Sequence, residues 1–284
     1  ATVVAQWGKA AVLLWLMLRP SHRLAFRTWA DCRFDLSLMK RLLWFGSPSG
    51  LQILAELGAF SVFLVLVGRL GTLELTAPNL AFSVNSLAFV PLYGFGIAAM
   101  TMVGQRLGEN RPELAERSTW SVLCLALTYL TAISAAYFFA PDFFLMGHRA
   151  AVDAAEFMEL RNLTVVLLRF VALYCLFDGF KVVFAHSIEG AGDTRFVLYT
   201  VSVTSLLMVA GAWWIIEVAQ AGLWWAWWVV VVYLLAQSVI FFARFRQGKW
   251  RSMRVIEHAP VVDLSASDTI ESLVNLEPTA SVGE

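Results

Sequence analysis

The chain has 284 residues, of which 59% are hydrophobic and only 15% charged, with a mean hydropathy of +0.69. A soluble domain carries about 25% charged residues, so this chain has too little polar surface to cover itself in water, which argues against a soluble enzyme. The same hydrophobicity excludes disorder over its bulk. Net charge is zero, with 21 basic and 21 acidic residues, which gives no reason to expect nucleic acid as a partner. The three cysteines, Cys32, Cys124 and Cys175, form no CxxC pair and read as small apolar fillers.

In chain order, Thr2 to Leu18 is hydrophobic but contains Gln6 and Lys9. It has no basic leader and no small-residue cleavage site, so it reads as residues 1–18 of a transmembrane helix whose beginning is missing, rather than as a signal peptide. The chain is therefore expected to be a fragment. Residues 19–42 form a basic cytoplasmic loop. A membrane span needs about 20 apolar residues, and six stretches supply them: Leu43–Gly68, Ala77–Val103, Ser118–Ala140, Asn162–Ala185, Phe196–Glu217 and Leu223–Ala243. The runs are continuously apolar, which favours helices over the alternating strands of a barrel. The expected fold class is thus all-α, a polytopic transmembrane bundle over residues 43–245. Residues 246–284 form a cytoplasmic tail. From Val255 onward the tail holds six acids, no Lys or Arg, and both Pro260 and Pro278, and it is expected to be disordered.

Lys and Arg distribution predicts the orientation. With the 19–42 loop inside, fifteen basic residues fall in inside loops and three, Arg69, Arg149 and Arg161, outside; Lys9, Arg169 and Lys181 lie within spans. A missing or extra span would scramble that alternation. Trp213 and Trp214 end the fifth span, and Trp224, Trp225, Trp227 and Trp228 open the sixth, as an interfacial aromatic belt would.

Carboxylates inside a membrane cost about 2.5–3.5 kcal/mol each on insertion scales and need a reason. Glu56 lies near the middle of the first full span, and Asp178 about 12 Å from the inner end of the fourth. Tyr174, four residues before Asp178, shares its face. Two carboxylates and a phenol can form an oxygen-lined cation site, and burial would draw carboxyl pKa values towards neutrality, which suits proton exchange. The structural alternative is that Asp178 pairs with Lys181 at i+3 while Lys181 snorkels to the cytoplasmic surface, and that a protonated Glu56 bonds a neighbouring helix. Gln52, one turn before Glu56, and Asn79 and Asn85 on the second span are candidate cavity-lining residues. Pro48 and Pro91 either bend their helices beside the carboxylates or serve packing alone. Arg169 has no evident partner.

Gly190-Ala191-Gly192-Asp193 matches the GxGD pattern of intramembrane aspartyl proteases, but the PAL tripeptide of those enzymes is absent and Asp193 sits in a polar turn, where capping the next helix is the better reading. No HExxH, GxSxG or P-loop occurs in the chain. No enzymatic activity is expected, and no resident metal.

Five segments carry a family resemblance. The run Gly46-Ser47-Pro48-Ser49-Gly50-Leu51-Gln52 followed by Glu56 resembles the start of the seventh helix of multidrug and toxic compound extrusion (MATE) transporters. Val67-Gly68-Arg69-Leu70-Gly71-Thr72, MVGQRLGENRPELA over Met102 to Ala115, IEGAGDTR over Ile188 to Arg195, and Gly248-Lys249-Trp250-Arg251 follow in the family's order and spacing, over about 210 residues. The resemblance implies the second lobe of a twelve-helix, two-lobe antiporter. It further implies that Glu56, Tyr174 and Asp178 match the coupling-ion positions of NorM-type members, with Na⁺ or H⁺ as the coupling ion and no other cofactor. The expected function is export of organic cations, drugs or other amphipathic compounds from a plasma membrane (the inner membrane of a bacterium), with the C-terminus cytoplasmic. The partners would be the small-molecule substrate, the lipid bilayer, and a missing N-terminal lobe or a second copy of this one. Two other readings stand beside it: a related flippase for lipid-linked substrates, and a truncated membrane module that transports nothing.

Overall fold

A computed structural model describes residues 2–19, 34–145 and 154–253. Among them every regular element is helical. In hydrocarbon a chain must satisfy its own backbone groups, and a helix does so within one segment. The elements are α1 (Thr2–Met17), α2 (Leu36–Gly68), α3 (Thr72–Gly108), α4 (Pro112–Phe139), the short α5 (Pro141–Leu145), α6 (Ala154–Gly190), α7 (Thr194–Trp213, continued by a π-helical turn Trp214–Val218) and α8 (Leu223–Arg246). A 3₁₀ turn, Lys249–Ser252, closes the described chain. Among the described residues, six helices are long and apolar enough to cross a membrane, as the hydropathy pattern predicts.

The expected 19–42 loop lies partly outside the described residues, and α2 begins at Leu36. The acidic tail after 253 also lies outside them. Pro48, Pro78 and Pro91 all sit inside unbroken helices.

The chain divides into two compact units. The first, Ala1–Gly50, holds α1 and the beginning of α2; the second, Leu51–Glu284, holds everything that follows. Within the second, α6 is the central helix, packed most closely against α3, α8 and α4. Small residues permit this. A Cβ added at Gly190 would run into the backbone carbonyl of Met100 on α3, and one at Gly96 would stand 2.8 Å from Val182. Glycines at such positions let membrane helices approach backbone to backbone. By contrast α2 is held largely by long side chains. Phe60 meets Phe82 and Tyr233, and Phe63 meets Trp227, in edge-on contacts.

Loop chemistry follows local rules. After α3 ends at Gly108, Asn110 takes a left-handed conformation (φ 64°) and Pro112 opens α4, the ordinary order of a helix stop and a proline start. Large apolar side chains such as Val65, Leu206, Leu207, Val232 and Val239 are exposed on the helix surfaces. In water this would be unfavourable, but for spans it is the surface that meets lipid.

The tryptophans divide. Trp213, Trp214, Trp224, Trp225 and Trp228 are exposed, as a belt requires, but Trp227 is wholly buried. It lies between Phe82, stacked at 5.4 Å and 26°, and Tyr174, at 6.4 Å and 16°. Helix periodicity explains this: four tryptophans in five residues cannot all share one face of α8, and Trp227 is the one that points into the bundle.

Candidate functional site

The charged centre of the second unit lies where α2 and α6 face one another. The Lys181 ammonium forms an ion pair with Glu56 on α2 and sits 3.5 Å from the Asp178 carboxylate one turn back on its own helix. The side-chain exposures are 9% for Lys181, 11% for Asp178 and 25% for Glu56. Lys181 lies nine residues before the end of α6, about 14 Å along the axis, so the triad sits well inside the span.

The i+3 pair of Asp178 and Lys181 is present, but Lys181 does not snorkel. It turns inward because two carboxylates supply a stronger partner than a distant surface, and because an unpaired buried charge is costly. Nor does Glu56 bond its neighbour as a lone neutral acid; its partner is an ammonium.

The next turn extends the site. Gln52, one turn before Glu56, is buried, lies near Glu189 at the end of α6, and its Oε1 has no hydrogen-bond partner. Residue 56 meets 181 while residue 52 meets 189, so α2 and α6 run in opposite senses here. Tyr233 on α8 and His186 on α6 are within electrostatic reach of Lys181 and Glu56. The His186 ring bonds the Val182 carbonyl at 2.8 Å through Nδ1 and takes the edge of Tyr93 at 5.4 Å.

The remaining candidates scatter. Tyr174 is buried, shares the Asp178 face, and stacks on Trp227. Asn85 accepts a weak bond from the Cys175 thiol at 3.4 Å, beside Tyr174. Asn79 is exposed, and its amide donates to the Leu75 carbonyl of its own helix at 2.9 Å. Arg169 finds a partner the sequence did not reveal: its guanidinium lies 5.5 Å from the centre of the Phe138 ring, a cation–π contact.

Asp193 departs from expectation. It occupies the N-cap position of α7 but makes no side-chain capping bond. One carboxylate oxygen instead accepts Nε and Nη2 of Arg244 at 2.9 and 2.6 Å, and that guanidinium lies over Phe196. A charge-assisted pair of bonds outcompetes a cap made to a neutral backbone N–H.

Sequence reasoning did not assign site roles to Glu189, His186 and Tyr233, and it left Lys181, within its span, as a partner of Asp178 that could snorkel to the surface. Part of the signal was present. Glu189 follows Asp178 by eleven residues, which is close to three full helical turns at about 3.6 residues each, so both stand on one face of α6. Tyr233 carried no such signal, because its position depends on how α8 packs.

Fold and site together define an all-helical, multi-pass membrane protein with an ionic centre inside its bundle. A family model described as MatE matches residues 48–214, more than half of the chain, and the chain belongs to that family. The "Probable multidrug resistance protein NorM" of Xanthomonas axonopodis pv. citri is 30% identical over 203 residues, covering 70% of this chain and 42% of that protein. The protein of the same name from Xylella fastidiosa (strain 9a5c) is 29% identical over 259 residues, covering 87% and 52%. The chain therefore spans about half, or less, of the length of the curated relatives it matches. A solved structure described as "Crystal structure of MATE in the bent conformation" aligns with a TM-score of 0.67 and 19% identity, over 78% of this chain and 48% of that one. One described as an outward-facing multidrug resistance MATE family transporter of the MOP superfamily aligns at 0.66 and 20%, over 78% and 49%. At such identities the likeness is one of fold.

Proposed function

We propose that this chain is the C-terminal lobe of a secondary antiporter that exports organic cations, drugs or other amphipathic compounds in exchange for Na⁺ or H⁺. The observation that carries the reading is the convergence of Glu56 and Asp178, from helices far apart in sequence, on one ionic centre inside the membrane-spanning bundle. Family membership and the relatives' names support it. Glu56 and Asp178 are the groups that would take the coupling ion, with Tyr174 as a neutral oxygen one turn away and Gln52, Asn79 and Asn85 as candidate lining residues. Neutralising the carboxylates changes the charge of the bundle interior. The ion-bound and ion-free lobes then favour different conformations, and exchange needs only that the two conformations differ in affinity for ion and substrate.

The excess of Lys and Arg on one side of the spans supports a cytoplasmic C-terminus, in a plasma membrane or bacterial inner membrane. A six-helix lobe of this kind works against a second one, either an N-terminal lobe or another copy. The test is export of ethidium from cells that express the intact transporter. Glu56→Gln and Asp178→Asn should each abolish export while the protein still reaches the membrane. Export at the parental rate in both variants would overturn the site. Transfer of a lipid-linked sugar with no export of ethidium would replace the drug reading with a flippase.

A further inference from the structure

The two carboxylates proposed to take the coupling ion are already engaged by a positive charge of the chain's own. We infer that Lys181 is the resident cation of the Glu56–Asp178 pair and that it keeps sodium out of the site. The inference rests on the antiporter reading of that site and names one of its specificity-determining residues.

An ammonium offers three donors and no acceptor, and Lys181 directs that capacity at Glu56 across the helix gap and at Asp178 beneath it. Tyr174 and Cys175, one turn before Asp178 on α6, are neutral groups and bring no positive charge to the carboxylates. Tyr233 from α8, His186 from α6 and Glu189 beside Gln52 approach the cluster, but none of them brings a fixed positive charge to both carboxylates. A sodium ion binding the same oxygens would have to displace the ammonium or stand against it, like charge against like charge in a setting poorly screened by water. The lysine has a second advantage. It is covalently attached, so it competes as an intramolecular ligand whose effective concentration does not fall when the bulk cation changes. Removing the charge would leave the Glu56 and Asp178 carboxylates without the ammonium they share, and so open to an external cation.

The experiment is a melting curve of the purified full-length chain in detergent, titrated with NaCl against choline chloride at constant ionic strength. The wild type should show no sodium-specific shift. Lys181→Gln should gain one, of roughly 5–10 °C at a hundredfold excess over its Kd, and the gain should vanish in Lys181→Gln/Asp178→Asn. Lys181→Arg keeps the positive charge and should be as silent as the wild type. A saturable sodium-specific rise in the wild type that Asp178→Asn removes overturns the inference without any lysine variant, so a Lys181→Gln protein that fails to fold does not protect it. A folded Lys181→Gln that ignores sodium overturns it as well. Failure of the antiporter reading looks different: export that survives Glu56→Gln and Asp178→Asn. Conversely, sodium-driven export that depends on both carboxylates would preserve that reading and overturn this one.

Discussion

Lys181 and Glu56 stand 125 residues apart in sequence and form an ion pair between α6 and α2, with Asp178 beside them. Removing one member of such a buried cluster leaves the others without compensation, which costs about 3–5 kcal/mol. Lys181→Met should therefore lower stability in thermal unfolding by that order. Combining it with Glu56→Gln should recover part of the loss, because the second change removes a charge the first left unpaired. Strictly additive losses in that double-mutant cycle would show that the two side chains do not interact.

Trp227 is held by ring contacts, and its indole Nε1 has no hydrogen-bond partner. Trp227→Phe keeps an aromatic ring and removes an unsatisfied donor, so its cost should stay below about 1.5 kcal/mol, in the range of tolerated apolar exchanges. Trp227→Ala opens a cavity between Tyr174 and Phe82 and should cost about 3–5 kcal/mol. Equal losses for the two would mean that the indole N–H matters more than the stack.

Gly190 lies so close to Met100 that a methyl group has no room there, whereas a Cβ at Gly94 meets nothing within 4 Å. Gly190→Ala should push α6 and α3 apart at a cost of about 1–3 kcal/mol, while Gly94→Ala should be neutral or slightly stabilising. Matched unfolding curves of the two variants decide the matter.

Asp142 on α5 accepts Nε and Nη2 of Arg161, at 2.6 and 2.7 Å, one on each carboxylate oxygen. These bonds hold its carboxyl below the ordinary value of 3.8. The sign follows from linkage: a depressed folded pKa contributes stability above the unfolded value, and that contribution disappears as pH falls through the folded one. The difference in melting temperature between the wild type and Asp142→Asn should be constant above about pH 5 and shrink towards zero below the ordinary carboxylate range. The pair is exposed, so added salt should reduce the difference at every pH. A difference that persists at pH 2 would assign the effect to something other than this charge.

Much of the architecture is legible in the sequence. The six spans are set by runs of apolar residues. The bilayer makes each span satisfy its own backbone, and that is a local property, readable one segment at a time. The unusual positions of Glu56 and Asp178 were legible for the same reason, since a charge in an apolar run is conspicuous without knowing its neighbours. What surrounds those charges was not legible. Which way Lys181 turns depends on the rotation of α6 about its axis and on where α2 stands. Whether Asp193 caps a helix or binds Arg244 depends on α8 returning beside it. Trp227 looked like its neighbours in sequence, and only the packing of α8 separates it from them. The sequence alone therefore determined how many helices cross the membrane and where charge enters them. The tertiary structure alone decided which charges meet, because a side chain's partner is set by helix rotation and packing between segments that sequence spacing does not relate.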